Sequence, residues 1–408
     1  MRKKMNKIAY LAPEIPALSA TFVYNDILQL EDMGFEVIPL SVHVPGHVAM
    51  EKSVAGLAGK TRYLYRESKM TLFGENLWML AKRPAGYLAT CLMALKDAKN
   101  VGMFSHIGKG LIYRFLVGAK VAKILMEEGC DHLHANFAHI PTDIAMYASC
   151  MSDIPFSFVS HANDLFERGW LLREKVDRSL FSVTISDYNR QFLADHGASK
   201  EKIHVIHCGV DSSSFGIFQK KIIKSPPRIG TLGRLVEKKG VDVLISACHI
   251  LKQKELPFSL EIAGNGPLAV ELKQRVSKLG LSSQIQFKGP VSHDLVPGWL
   301  SKLDLFVLPC KQDKKGDQDG IPVVLMEAML TGTMVVSTKI SGIPELVQNG
   351  QTGYIVEPND PTALAEAIET AMQDDSVKMS IQKNAVAKVC ADFDLNKNIK
   401  KLANLLKE

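Results

Sequence analysis

Short runs of β-branched and other apolar residues alternate with longer stretches of helical periodicity along the whole chain. Continuous apolar runs between helices are typical of parallel strands that helices cover on both faces. In the first half these runs are KIAYLAP (7–13), EVIPLSV (36–42), HLHANF (132–137), FSFVSHA (156–162), SVTIS (182–186) and IHVIHCG (203–209). The pattern predicts a doubly wound α/β domain, whose ligand crevice lies at the C-terminal ends of the strands.

The same pattern restarts after a polar stretch at 211–227. The second set of predicted strands is RIGTLG (228–233), FSLEIAG (258–264), IQFKG (285–289), LDLFVLP (303–309), MVVST (334–338) and GYIV (353–356). A length of 408 residues also favours two domains. We predict one α/β domain over 1–215 and a second over 216–385. A C-terminal helix over 386–408 is expected to pack back toward the first domain.

Composition excludes several classes of protein. The seven cysteines are scattered and form no C-x-x-C, which argues against a disulfide framework and a zinc site and fits a reducing cytoplasm. The apolar part of the N-terminal MRKKMNKIAYLAPEIP is too short and too broken by proline for a signal peptide. No uncharged apolar run reaches the roughly 18 residues that a membrane span needs.

Positive charge is concentrated between Lys60 and Lys123. This segment holds twelve Lys or Arg and three Asp or Glu, a local charge of +9, whereas the whole chain carries +6. Its helical stretches are also apolar, which is the composition of helices that lie on an anionic membrane surface. The alternative is a pair of core-packed helices with solvated lysines. A nucleic-acid groove is disfavoured because no aromatic residues interleave with the charges.

Two glycine-containing turns follow strands of the second domain. Arg234 and Lys239 bracket the turn in LGRLVEKKG, and an arginine fork with a lysine is suited to a diphosphate. The absence of G-x-x-x-x-G-K-[ST] disfavours a P-loop ATPase. In AGNGPL, Gly264 and Gly266 would let the backbone approach a ligand, or would simply form a tight turn.

The segment DGIPVVLMEAM (319–329) places two carboxylates around an apolar helix. Pro322 suits the first helical position. Eight residues of regular helix would separate Asp319 from Glu327 by about 12 Å, which is too far for the acid and base of a glycosidase. The pair is better suited to holding the two ends of one elongated ligand. The alternative is that Asp319 is a helix cap and Glu327 a buried structural acid.

Four motifs in this order resemble the donor half of family 4 glycosyltransferases, which have the GT-B fold: GRLVEKKG, IAGNGPL, DGIPVVLMEAM and SGIPELVQNGQTGYIVEPND. The first half is similar too, in SATFVYNDILQLEDMGFEV, HLHANFAH, PFSFVSHANDLF, VTISDYNRQFL and IHVIHCGVD. Together these segments resemble bacterial exopolysaccharide and colanic-acid-type members. The resemblance implies two Rossmann-like domains that face a central cleft, the first on the acceptor side and the second binding a nucleotide-sugar donor.

The resemblance assigns roles to the donor-side residues. Arg234 and Lys239 match the pair that neutralises the nucleotide diphosphate, and Glu327 matches the acid that holds the ribose. Asp319 stands where the family has a glutamate, which changes the reach of this carboxylate toward the sugar. The remaining donor-site candidates lie in the same motifs and are Gly264, Asn265, Gly320, Ile321, Pro322 and Val323.

The resemblance also assigns residues in the first domain. His161, in SHAND, matches a histidine beside the reacting sugar; the alternative is a structural histidine at a strand end. With Asp319, Arg234 and Lys239 it completes the predicted catalytic set. The first loop, APEIPALSATF, lacks the glycines of many members, and its polar acceptor-side candidates are Ser19, Thr21 and Asn25.

The expected reaction is retaining glycosyl transfer from a UDP- or GDP-sugar to a polysaccharide-repeat or lipid-linked glycan acceptor, without cofactor or metal. DQD (317–319) has the spelling of a metal-binding D-x-D motif but precedes the donor helix. The protein is expected in the cytoplasm, peripheral on the inner face of the membrane, with no nucleic-acid partner. Two alternatives are a GT-B-like epimerase and a non-catalytic protein that binds sugar nucleotides.

Overall fold

The computed structural model describes residues 7–16, 21–46, 52–66, 68–215, 225–373 and 375–408. The chain divides into two compact units. Unit 1 is formed by residues 1–185, 189–206 and 399–408, and unit 2 by residues 186–188 and 207–398.

Unit 1 is built on a parallel sheet. Its strands are β1 (Lys7–Glu14), β2 (Glu36–His43), β3 (Arg62–Tyr63), β4 (His132–Asn136), β5 (Phe156–Ser160), β6 (Ser182–Thr184) and β7 (Ile203–Val205). Within the described residues their order is β3-β2-β1-β4-β5-β6-β7, and every pairing is parallel. The strand order reverses between β1 and β4, which places the predicted ligand crevice of this unit at the ends of those strands.

Helices cover both faces of this sheet. They are α1 (Thr21–Asp32), α2 (Lys52–Lys60), α3 (Lys69–Lys82), α4 (Pro84–Asn100), α5 (His106–Glu128), α6 (Ile140–Ser152), α7 (Asn163–Phe166), α8 (Leu172–Arg178) and α9 (Asp187–Asp195). Successive side chains of a strand point to opposite faces. Ala9 and Leu11 of β1 therefore join the core with α5 and α6, whereas Ile8 and Tyr10 join the core with α1.

Unit 2 repeats the architecture. Its strands are β8 (Arg228–Leu232), β9 (Ser259–Ala263), β10 (Ile285–Gly289), β11 (Leu305–Leu308), β12 (Met334–Thr338) and β13 (Tyr354–Val356). Within the described residues they form a parallel sheet in the order β10-β9-β8-β11-β12-β13. Its order reverses between β8 and β11.

The helices of the second half complete the fold. They are α10 (Val241–Gln253), α11 (Ala269–Lys278), α12 (Val296–Leu300), α13 (Val323–Leu330), α14 (Ile343–Leu346), α15 (Pro361–Gln373), α16 (Asp375–Asp392) and α17 (Leu395–Leu405). The C-terminal end of the chain packs in the same apolar core as α1, through Ile399, Leu402, Ala403 and Leu406. The segment 386–408, predicted as one helix, holds the end of α16 and all of α17. Phe393 and Asp394 lie between the two helices, and the carboxylate of Asp394 caps the start of α17 by accepting a hydrogen bond from the backbone N–H of Lys397 at 3.0 Å.

The predicted strands are present in both units, but several are shorter than their apolar runs. The run at 203–209 forms a strand only over Ile203–Val205, because its neighbour β6 is itself three residues long and offers no further partner. The edge strand β3 had no signal in the sequence, since two residues carry no periodicity. Among the described residues, no helix combines the length and apolar character needed to cross a bilayer.

Candidate functional site

Lys239 lies at the C-terminal end of β8 in an ion pair with Asp319. Its Nζ is 2.6 Å from Oδ2 of Asp319. A short 3-10 turn, Glu237–Lys239, carries the lysine, and Gly240 ends that turn in the left-handed region at φ 65°. A Cβ at Gly240 would lie 1.8 Å from the carbonyl oxygen of Pro309, so glycine is required there. The structure thus brings together the predicted diphosphate and sugar ligands, Lys239 and Asp319.

A second lysine and a second aspartate extend this cluster. Nζ of Lys238 is 2.8 Å from Oδ2 of Asp317 and 3.5 Å from Oδ1 of Asp319. The thiol of Cys310 donates to Oδ2 of Asp319 at 3.4 Å. Two cations and two carboxylates therefore balance one another at the end of β8.

The pairing fixes the charges of both groups. Burial alone would lower the pKa of Lys239, but the nearby carboxylate of Asp319 outweighs it, and the pKa is raised. Burial alone would likewise raise the pKa of Asp319, but Lys239 and Lys238 outweigh it, and the pKa is lowered. Asp319 is a carboxylate and Lys239 an ammonium near neutral pH.

Arg234 differs from Lys239 in its surroundings. It lies in the same turn, is exposed to solvent, and makes no ion pair within the part of the chain that the structure describes. Because no carboxylate of the described residues holds this guanidinium, a diphosphate can bind it without displacing one. Of the two predicted phosphate ligands, one is paired and one is exposed.

The glycines of AGNGPL are required for the packing of two loops, and the predicted approach of a ligand to them stays a prediction. A Cβ at Gly264, where φ is 120°, would lie 1.9 Å from the carbonyl oxygen of Gly233. A Cβ at Gly266 would lie 2.5 Å from the carbonyl oxygen of Leu235. The backbone N–H of Leu235 also donates to the carbonyl of Asn265 at 2.9 Å. These glycines let the loops after β8 and β9 pack backbone to backbone, which positions the turn that carries the phosphate candidates.

The entrance to α13 corrects two details of the sequence interpretation. Pro322 is the N-cap at ψ 124°, one residue before the helix, instead of its first residue. Only residues 323–327 of the interval from Asp319 to Glu327 are helical, so the helical rise of about 12 Å does not apply to it. Val323 is 39% exposed, so the first turn is not apolar packing on all sides.

Residues 320–323 form the approach to this helix. Gly320, Ile321 and Pro322 are buried. The first N–H groups of an α-helix have no partner inside the helix, so those of Val323 and Val324 can receive an anionic ligand. Gly320, Ile321, Pro322 and Val323, the donor-site candidates of this segment, therefore lie beside these amides.

Glu327 is buried in α13 beside the imidazole of His293. Its Oε1 lies 3.5 Å from Nε2 of His293, whose side chain is exposed. Burial raises the pKa of Glu327, and His293 acts in the opposite sense. An acid in this setting can accept hydrogen bonds from a pair of hydroxyls, which is the role predicted for it toward ribose.

His161 follows β5 in unit 1 and is held from several sides. Its Nε2 lies 3.0 Å from Oδ1 of Asn136, and its backbone N–H donates to Oδ1 of Asp164 at 3.0 Å. The rings of Phe22 and Phe137 lie with centroids 4.9 Å and 4.6 Å from the imidazole. Burial lowers the pKa of His161, so the ring is neutral near pH 7.

The three acceptor-side candidates fall at the start of α1. Ser19 lies outside the described residues, and Thr21 begins α1. Asn25 lies half-buried in that helix, one residue before Asp26. Their role toward an acceptor stays a prediction.

The structure adds residues that were not predicted from the sequence, some around Lys239 and Glu327 in unit 2 and some in the hydrogen bonds that lead to His161 in unit 1. In unit 2 they are Lys238, Cys310, Asp317 and His293, and in unit 1 they are Tyr10, Asp26 and Asn136. A signal for Asn136 was present, because HLHAN places His132, His134 and Asn136 on one face of β4. Asp317 and Asp319 of the DQD motif bind lysines. Among the described residues, no three His, Cys, Asp or Glu side chains are grouped so that they could hold a metal ion.

Family models match both halves of the chain. The model described as Glycosyl transferases group 1 matches residues 214–388. The model described as Glycosyltransferase Family 4 matches residues 97–214.

Relatives of known name match over nearly the full length. The amylovoran biosynthesis glycosyltransferase AmsK of Erwinia amylovora is 30% identical over 98% of this chain and 99% of its own. The putative colanic acid biosynthesis glycosyltransferase WcaL of Salmonella typhimurium is 31% identical over 98% and 99%. Among solved structures, Anabaena Alr3699/HepE in complex with UDP has a TM-score of 0.73 at 19% identity, covering 98% of this chain and 99% of that one. The sucrose-phosphate synthase of Thermosynechococcus elongatus has a TM-score of 0.71 at 16% identity, covering 98% of each chain. These two structures confirm the predicted fold.

Proposed function

The chain belongs to the family 4 glycosyltransferases, and we propose that it transfers a sugar, with retention, from a nucleotide-sugar to an exopolysaccharide intermediate. The acceptor is a polysaccharide repeat or a lipid-linked glycan. This is supported by relatives that are named for amylovoran and colanic acid biosynthesis and match over the full chain.

The observation that carries the proposal is the charge arrangement at the end of β8. Arg234 is exposed, and Lys239 is an ammonium held by a carboxylate 2.6 Å away. Negative charge grows on the leaving diphosphate as the glycosidic bond breaks. Cations that are already positioned stabilise that charge without reorganisation, and no metal ion is required for this role.

Asp319 and the diphosphate compete for one ammonium. When phosphate oxygens take Lys239, the carboxylate of Asp319 is released from its ion pair and can accept hydrogen bonds from the hydroxyls of the transferred sugar. Glu327 then holds the ribose, and the amides at the start of α13 hold phosphate or sugar oxygens. The donor is a UDP- or GDP-sugar, and HepE, which shares the fold, is a protein solved with UDP and with UDP-glucose.

A transfer assay tests the proposal. The purified full-length chain is incubated with a labelled UDP- or GDP-sugar and a lipid-linked glycan fraction, and both free nucleotide and labelled product are measured. Nucleotide release that depends on the acceptor, with an α-linked product from an α-donor by NMR, is expected. Isomerisation of the donor sugar would identify an epimerase instead, and donor binding without release or transfer would identify a non-catalytic binding protein. Unchanged turnover in EDTA is expected, and its loss and rescue by a divalent ion would overturn metal independence.

The acceptor-side unit carries an exposed apolar surface that favours a membrane-bound acceptor. Phe73, Leu92 and Phe104 are 66%, 69% and 86% exposed. Met70 and Leu77 lie three and four residues from Phe73 on α3, and a similar spacing places Leu88, Leu92 and Leu95 on one side of α4. A cluster of exposed large apolar side chains marks an interaction surface.

The charge around this surface selects an anionic lipid layer as its partner. Lys82, Lys96 and Lys99 are exposed beside the apolar side chains, and Arg83 is partly exposed. Apolar side chains flanked by basic ones suit the boundary between headgroups and acyl chains. We therefore propose peripheral binding to the inner face of the cell membrane.

Flotation with vesicles tests the membrane proposal. At low salt the wild type should float with anionic vesicles and not with neutral ones, because each lysine or arginine near anionic headgroups contributes about 1 kcal/mol. Reversal of Lys82, Arg83, Lys96 and Lys99 to glutamate should release it. The matched control reverses four exposed lysines of unit 2: Lys273, Lys278, Lys302 and Lys383. A wild type that stays unbound at low salt would show that the acceptor reaches the enzyme from solution.

A further inference from the structure

A chain of hydrogen bonds leads from His161 to a carboxyl group on α1. Oδ1 of Asn136 faces Nε2 of His161 at 3.0 Å, and Nδ2 of Asn136 donates to Oη of Tyr10 at 2.8 Å. The hydroxyl of Tyr10 donates to Oδ2 of Asp26 at 3.1 Å. We propose that Asp26, Tyr10 and Asn136 are positioning residues that hold the imidazole of His161 in one orientation and one tautomer. The use of that imidazole in glycosyl transfer rests on the proposed function.

The sheet brings these groups together because of its strand order. Tyr10 of β1 pairs in register with His134 of β4, and Asn136 lies two residues further along the same face. Tyr10 and Asn136 are completely buried, and His161 follows the adjacent strand β5. Asp26 reaches Tyr10 from α1, the helix that packs on this face. Four elements that are distant in sequence thus supply one continuous path.

The direction of the bonds follows from the charge of one group. An ionised carboxylate only accepts hydrogen bonds, so an ionised Asp26 requires that Tyr10 donate to it. The oxygen of Tyr10 must then accept from Asn136, whose amide nitrogen is the only donor that it has. The amide oxygen of Asn136 consequently faces His161, and Nε2 must carry the proton. The ring nitrogen that remains, Nδ1, is an acceptor in this tautomer.

The surroundings of His161 make the tautomer important. Burial lowers the pKa of the ring, so it is neutral near pH 7 and its two nitrogens differ in role. Asp164 holds the backbone N–H of His161, and the rings of Phe22 and Phe137 pack against the imidazole. These contacts fix where the ring lies, whereas the bond to Asn136 fixes which nitrogen bears hydrogen.

The packing around Tyr10 does not require its hydroxyl group. Tyr10 lies in a core of Ile8, Val23 and Ile27, where a phenylalanine would fill the same volume. Burial raises the pKa of Asp26 to about 7, which means that the folded protein keeps a carboxylate in a place that disfavours its charge. A costly group that is retained and connected to His161 supports a positioning role.

The tautomer can be measured directly. Histidine labelled with ¹⁵N is incorporated into the full-length protein, and two-bond ¹⁵N–¹H correlations are recorded at pH 8, where Asp26 is ionised. The His161 signals are assigned by their loss in His161→Gln. The proposal predicts the Nε2–H form in the wild type and a shift of the ring ¹⁵N signals toward a mixture in both Tyr10→Phe and Asp26→Asn. Asp32→Asn, at an exposed position of the same helix, should leave them unchanged.

The Nδ1–H form in the wild type, or wild-type signals in both variants, would overturn the proposal. Tyr10→Phe keeps the ring in the core, and a wild-type circular dichroism spectrum with cooperative thermal unfolding confirms that unit 1 of the variant is folded. In the transfer assay the variant should lose about tenfold in kcat, the effect of one hydrogen bond, with KM for the nucleotide-sugar unchanged. Shifted signals with unchanged kcat would support the positioning role and contradict the proposed use of His161 in transfer.

Discussion

The polar side chains at the candidate site of unit 2 differ from those around His161 in unit 1 in how they are stabilised. In unit 2, Lys238 and Lys239 are neutralised by carboxylates at 2.6–3.5 Å. In unit 1, His161 is a neutral ring at the end of a path of hydrogen bonds. Full charges are suited to exchange partners with a charged ligand, because a diphosphate can replace Asp319 at Lys239. Directional hydrogen bonds that end on a neutral ring are suited to fix the orientation of that ring. The arrangement in unit 2 is therefore suited to bind a charged ligand, and the arrangement in unit 1 is suited to orient the imidazole of His161.

The largest effect is expected at the phosphate candidates. Arg234→Ala or Lys239→Ala should each cost about 3–4 kcal/mol of transition-state stabilisation, as the loss of one oxyanion donor does. This corresponds to a fall in kcat of about 10²–10³-fold. The measurement is nucleotide release under saturating donor, with Lys278→Ala, at an exposed position of α11, as the control.

These two variants also separate the roles of the two cations. Lys239→Ala leaves Asp319 without its closest partner, whereas Arg234→Ala breaks no ion pair in the described structure. Only Lys239→Ala should therefore lower the melting temperature. Near-normal turnover in both variants would show that the diphosphate binds elsewhere.

A smaller effect is expected when the carboxylate of Asp319 is removed. Asp319→Asn leaves Lys239 and Lys238 with one carboxylate fewer, and it should lower the free energy of unfolding by about 1–3 kcal/mol. The same change frees Lys239, so UDP or GDP should bind more tightly by calorimetry while transfer is slowed.

Asp319→Glu tests whether the charge of this carboxylate or the length of its side chain is important. It retains the carboxylate and restores the residue that the family usually has at this position, so stability and nucleotide affinity should stay near those of the wild type. Asp319 is not the helix cap that the alternative interpretation made it, because Pro322 is the N-cap of α13. If Asp319→Asn has wild-type stability, affinity and turnover, the charge of Asp319 is needed neither by the two lysines nor by the sugar.

The smallest effect is expected when Asp26 of unit 1 is replaced by asparagine, which should raise the free energy of unfolding in a pH-dependent way. Folded Asp26 has a pKa of about 7, because burial disfavours its charge, whereas the unfolded group titrates near 4. Between those values the unfolded state binds fewer protons, so the wild type loses stability as pH rises from about 4 to 7. Tyr10, which faces Asp26, stays protonated because burial raises its pKa well above the usual range.

Asp26→Asn lacks this titration. It should be more stable than the wild type by on the order of 1 kcal/mol at pH 8 and nearly equal to it at pH 5, by thermal unfolding at both values. Asp32→Asn is the control on the same helix. A variant that is less stable than the wild type at pH 8 would show that Asp26 is ionised at no cost, and the contrast between the two units would disappear.

The fold and the donor-side cluster could be predicted from the sequence better than the chain of hydrogen bonds that leads to His161. Arg234, Lys239 and Asp319 lie in short motifs next to strands, and the chain order of those strands was readable from their apolar runs. The ion pair between Lys239 and Asp319 was not predictable, because it joins loops after β8 and β11, 80 residues apart.

The chain of hydrogen bonds in unit 1 depends on the register of β1 against β4 and on the faces to which their side chains point. Tyr10 and Asn136 are 126 residues apart, and they meet only because β1 pairs with β4. A tyrosine in an apolar strand has the pattern of a core residue, and Asp26 that of a solvated acid on a helix. The apolar face of α3 and α4 was recognised as apolar and basic, but whether its leucines were buried or exposed required the packing of α5.

Donor binding by the wild type and by Lys239→Ala tests whether the cluster after β8 holds the diphosphate of a nucleotide-sugar. Thermal unfolding is recorded with UDP-, GDP-, ADP- and dTDP-sugars at equal concentrations. A ligand that binds the folded state at 100 times its Kd stabilises it by about 2.7 kcal/mol. We expect a UDP- or GDP-sugar to raise the melting temperature of the wild type, and we expect most of this shift to be lost in Lys239→Ala. The absence of any shift with all four donors, or an equal shift in both proteins, would contradict it.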